Sequence, residues 1–136
     1  MSAIVKFKGF VREKNSKVTG LTDTKRVLEH QFLIIPDIAQ IFEPTKGYEN
    51  ESNIQVSEQV HLSLKDKYEF NLNEYVEDST RYFLKCFHLK VWNKNGDEII
   101  YAVPSFKDAE KIYEKTQTEI EDFYTNYKDF VSAIMQ

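Results

Sequence analysis

From residue 105 onward, apolar side chains recur every three or four positions. Phe106, Ala109, Ile112, Tyr113, Ile120, Phe123, Tyr124, Tyr127, Phe130, Val131 and Ile134 fall within an arc of about 120° when successive residues are turned by ~100°. This pattern predicts one long amphipathic helix running nearly to Gln136, with Lys111, Glu114, Lys115, Glu121, Asp122 and Asp129 on the opposite side. Ser105 is placed to start it. A serine hydroxyl in the N-cap position accepts the backbone N–H three residues on, here Asp108, whose carboxylate suits the positive end of the helix. Ala109 and Thr116 keep the centre of the stripe thin, so the helix can lie close against a sheet.

Upstream the period is two. Val5, Phe7 and Val11 alternate with Lys6, Lys8 and Arg12, which predicts a strand over residues 3–13 with one apolar and one basic face and Gly9 as a bulge or close-approach site. Asn15 to Asp23 reads as a polar turn. In residues 26–35 Leu28, Phe32 and Ile35 suit a helix, but the run Phe32 to Ile35 before Pro36 suits a strand. The strand is preferred because a residue preceding proline is pushed toward extended geometry. Asp37 to Phe42 fits a helical turn or a short edge strand, and Pro44 to Asn53 is the most loop-like stretch.

Ile54, Val56, Val60, Leu62 and Leu64 alternate with polar residues and predict a half-buried strand over 54–64, followed by a turn at 65–67 and a second strand with Tyr68, Phe70 and Leu72 on one face. Residues 81–92 carry apolar groups on both faces, the mark of a central strand. Asn93 to Asp97 turns the chain with Gly96 free to take positive φ, and Ile99 to Val103 returns as its partner.

The chain has 136 residues, is 41% hydrophobic, and carries only four Gly and three Pro. That is enough to bury a core without metal or disulfides. The expectation is a single α+β domain over 1–136: an antiparallel sheet of about six to seven strands packed against one long C-terminal helix. Strands followed by a terminal helix resemble, in element order, the pleckstrin-homology architecture, a strongly bent sheet capped by one helix. That resemblance implies an anionic-headgroup site near Lys14, Lys17, Lys25 and Arg26, whose spacing departs from the family's pattern of lysines and arginines. The single cysteine, Cys86, and the absence of a signal-peptide pattern point to a cytoplasmic protein, and no apolar run is long enough for a transmembrane segment.

The net charge is −4, yet residues 1–26 carry seven Lys and Arg against two acidic residues. The body is therefore acidic and one end basic, which disfavours a general nucleic-acid binder but can orient a charged partner. Among candidate sites, Cys86 and His88 share a strand face without the paired spacing of a zinc motif, so no metal and no cofactor are expected. Glu58, alone on an apolar face, is a candidate general acid or base if buried. No phosphate-cradling glycine loop or nucleophile elbow accompanies these residues.

The leading reading is a small non-enzymatic binding protein that acts through contact with another protein, as an inhibitor, immunity or accessory factor does. Its candidate contact residues are Tyr48, Glu49 and Glu51 on the 44–53 loop. The alternative is a binder of nucleic acid or anionic lipid through Lys6, Lys8, Phe10, Arg12, Lys14, Lys17, Lys25 and Arg26. A third reading is a small hydrolase or transferase built on Glu58 or on Cys86 with His88.

Overall fold

A computed structural model describes residues 3–12, 28–74 and 80–135. Lys14, Lys17, Lys25 and Arg26, the polar turn at 15–23 and the site implied there lie outside the described residues. The described chain forms seven strands, β1 (Ile4–Arg12), β2 (Glu29–Ile34), β3 (Ile38–Ile41), β4 (Glu51–Val56), β5 (Phe70–Glu74), β6 (Thr80–Asn93) and β7 (Glu98–Val103), and two α-helices, α1 (Glu58–Leu64) and α2 (Phe106–Met135). The strands make one open antiparallel sheet. Of the two alternatives for residues 37–42 the short edge strand is realised as β3, directly after a 3-10 turn at Ile35–Asp37 that is favoured by Pro36 in its first positions.

β6 is the axis of the molecule. Leu84 pairs with both Ile54 and Phe70, Phe87 with both Glu51 and Val103, and Val91 with both Ile41 and Ile99. Hence β3 and β4 run in line along one side of β6, while β5 and β7 run in line along the other. Both faces of β6 are covered, which is why its sequence is apolar on both. On one face Leu89 and Val91 join Val5, Phe7, Leu33, Ile35, Tyr101 and Val103 in a core closed by α2. On the other, Leu84 and Cys86 join Phe10, Val56 and Ala102, with Val60 of α1 packed against them.

α2 starts as its sequence predicts: the Asp108 N–H donates to Ser105 Oγ at 3.3 Å. Ala109 and Thr116 are fully buried where the helix crosses the sheet, and the Thr116 hydroxyl donates back to the Ile112 carbonyl at 2.6 Å. At about 1.5 Å per residue the helix is roughly 45 Å long, and the sheet does not cover all of it. Ile112, Tyr113, Ile120 and Phe123 pack on the core, whereas Tyr124, Tyr127 and Ile134 are exposed. The apolar stripe read from the sequence is therefore longer than the surface that receives it.

Residues 54–64 correct the expectation of one continuous strand. β4 ends at Val56, Ser57 accepts the Val60 N–H on its hydroxyl at 3.2 Å, and α1 begins at Glu58. The period-two alternation is accidental beyond Val56, since Leu62 points to solvent. The order of strands and terminal helix is thus interrupted by α1. Gly9 is a close-approach site: β1 pairs with β2 up to Gly9 and with β7 from Phe10. A Cβ at position 9 would sit 2.9 Å from the Ala102 carbonyl oxygen.

Candidate functional site

β3 and β4 follow the same side of β6, but the chain does not pass directly between them. The Phe42 N–H donates to the Lys90 carbonyl at 3.0 Å, and Glu51 lies opposite Phe87. Residues 43–50 are consequently extruded from the sheet edge by strands anchored close together on β6. The predicted loop is shorter than 44–53, because β4 already starts at Glu51.

The loop is internally pinned. The Asn50 N–H donates to the Gly47 carbonyl at 2.9 Å, and Asn50 Nδ2 donates to Thr45 Oγ1 at 2.9 Å. Gly47 takes φ 152°, which favours glycine, and opens a 3-10 turn over Tyr48–Asn50. Tyr48 stands at the apex, 96% exposed, and Glu49 is exposed beside it. Glu51 is half-buried, its carboxylate 3.9 Å from Lys85 Nζ, so it ties the loop to the sheet.

Two open grooves flank this loop and share Glu51 and Lys85. One, of about 380 Å³, contains Tyr48, Ser52 and His88. Ser52 Oγ and His88 Nε2 are 2.5 Å apart. The pair joins β4 to β6 diagonally, and its sequence signal was hidden because only the pairing of those strands brings residues 36 positions apart together. The other groove, of about 390 Å³, lies at the start of α2 and is lined by Lys46, Lys67, Lys85 and Lys107 with aromatic residues between them.

Of the residues proposed for catalysis, Glu58 lies on α1, apart from Cys86 and His88, which sit two positions apart on β6. Glu58 is an exposed first-turn residue of α1 and occupies no buried face. Cys86 is fully buried in the second core, so its thiol is packed as a small hydrophobe. Among the described residues no three His, Cys, Asp or Glu side chains cluster as a metal would require.

On the basic N-terminal strand the aromatic comes from a different place than the sequence suggested. Lys6 and Lys8 are exposed, but Phe10 is buried in the second core. The aromatic on this face is Phe32 of β2, opposite Lys6 in register, with Lys6 Nζ 5.9 Å from its ring centre. Ile4 and Ile34 extend the exposed apolar surface. Reduced hydration, then the ammonium charges of Lys6 and Lys8, lower the pKa of His30 from its ordinary value. Arg12 pairs through its backbone with Ile100.

Comparison with known proteins finds no match among family models, curated proteins or solved structures. Among the described residues no helix is long and apolar enough to cross a membrane.

Proposed function

We propose that this chain is a non-catalytic binding module that engages another protein through the extruded 43–50 loop, with Tyr48 as its anchor. The observation that carries the reading is the near-complete exposure of a tyrosine, 96%, at the apex of a turn held by its own hydrogen bonds. A tyrosine supplies large amphipathic contact area for the loss of only two side-chain torsions. A turn already ordered before contact avoids much of the entropic cost of association. Glu49 contributes a rim charge, and Glu51 acts by fixing the loop to Lys85. Such a protein belongs to the inhibitor, immunity or accessory class, and a cytoplasmic setting fits its single buried thiol.

The test is capture from the host lysate by three forms: the native chain, Tyr48→Ala, and a chain with residues 43–50 replaced by Gly and Ser. A partner held by the native chain and lost from both variants supports the reading. Equal retention by all three removes it.

A second reading rests on the exposed face of β1 and β2, where Lys6, Lys8 and Phe32 would meet nucleic acid or anionic lipid. Binding of that kind falls steeply with added salt. Lys6→Glu with Lys8→Glu abolishes it if the reading holds, and equal low-salt binding by the double variant refutes it.

A further inference from the structure

The groove at the start of α2 gathers cations from four separate elements of an otherwise acidic chain. Lys46 comes from the extruded loop, Lys67 from the turn after α1, Lys85 from β6 and Lys107 from the first turn of α2. Like charges brought together repel unless something neutralises them. Glu51 and Glu69 line the same groove and both pair with Lys85, at 3.9 Å each, which leaves Lys46, Lys67 and Lys107 without an ion pair among the described residues.

Aromatic rings hold three of these ammonium groups in place. Lys46 Nζ lies 5.0 Å from the Phe106 ring centre, Lys67 Nζ 5.2 Å from Tyr68 and Lys85 Nζ 5.7 Å from Phe87. Phe87 and Phe106 themselves meet edge to face at 5.6 Å. A ring face attracts a cation without neutralising it, so each charge is positioned while its hydrogen-bond donors stay available. The groove measures about 390 Å³, a size suited to a small ligand.

We propose that this groove binds a compact ligand carrying two or more phosphate groups. Every cation in it is a lysine, a compact point charge with three donors that can be shared among neighbouring anionic oxygens. Lysines act as point charges that suit a chain of phosphate oxygens. The ligand chemistry is shared by free polyphosphate and by a nucleotide.

Amide shifts and calorimetry are measured at low salt with inorganic tripolyphosphate, ATP and, as a non-phosphate anion, citrate. The proposal expects shifts centred on residues 46, 67, 85 and 105–107, and affinity reduced at least about tenfold in a Lys46→Gln, Lys107→Gln variant of native thermal stability. Lys111→Gln with Lys115→Gln, exposed on α2 and outside the groove, leaves binding unchanged. Equal affinity for tripolyphosphate and ATP assigns the recognition to the phosphate chain, and tighter ATP binding adds the base; either supports the site. No binding of either compound, equal binding of citrate, or an equal loss from the Lys111 and Lys115 variant overturns it. Tyr48→Ala, which tests the protein-contact reading, leaves phosphate binding intact, so the two proposals fail separately.

Discussion

At position 9 the absence of one methyl group decides where the first strand can go. β1 leaves β2 and joins β7 between Gly9 and Phe10, and the Ala102 carbonyl oxygen fills the space a side chain would occupy. Gly9→Ala places a carbon 2.9 Å from that oxygen, and because the obstacle is backbone it cannot rotate aside. Urea denaturation is expected to show a loss of about 1–3 kcal/mol. The opposite sign is expected at Gln55, which is 94% buried with its Oε1 atom lacking a hydrogen-bond partner. Gln55→Met removes an unsatisfied polar atom while keeping the length of the side chain, and the same measurement should show a gain of about 1 kcal/mol. Gly9 was legible as a break in an alternating strand. Phe10 was not, because its exposure depends on the second core assembling beneath it.

The elements were most legible where periodicity and an end signal agree. α2 has both its stripe and Ser105, and β6 has apolar residues on two faces as a doubly covered strand must. Residues 54–64 misled because alternation continued by chance across Ser57, whose capping role was outweighed by the pattern around it. That serine now carries a prediction: Ser57→Ala deprives the Val60 N–H of its acceptor and should cost about 1 kcal/mol. Loss of helical signal confined to α1, with α2 unaffected, is the check, read from carbon chemical shifts. The exposed end of α2 has the reverse lesson. Tyr124 and Tyr127 follow the stripe in sequence, yet a stripe says which way side chains face and not how far the opposing sheet extends.

Across the whole molecule, the groups that titrate bound a pH range. His30 has a lowered pKa in the folded protein, so the folded state takes up its proton less readily than the unfolded chain. The stability tied to it is present above the ordinary histidine value of about 6.5 and is lost as pH falls below it. Tyr101, buried beneath α2 against Phe7, has its pKa raised by burial. Its contribution is present below the ordinary tyrosine value of about 10 and is lost as pH rises through the folded value. A plot of unfolding free energy against pH should therefore fall at both ends. His30→Asn should flatten the acid limb and Tyr101→Phe the alkaline limb. The candidate site was only half legible at this scale. Tyr48 could be read as a loop residue, but the lysine groove joins residues from 46 to 107, and only the folded sheet brings them together.

Because every residue of β6 pairs with at least one neighbouring strand and both cores are built on it, neither core can come apart without tearing the same ribbon. Deuterium should enter the amides of residues 84–91 only when the entire chain opens, at one common rate, with the two ends of the ladder giving way earlier. A molecule knit in this way melts as a single unit, and the loop hung from its side can change its sequence while the fabric holds.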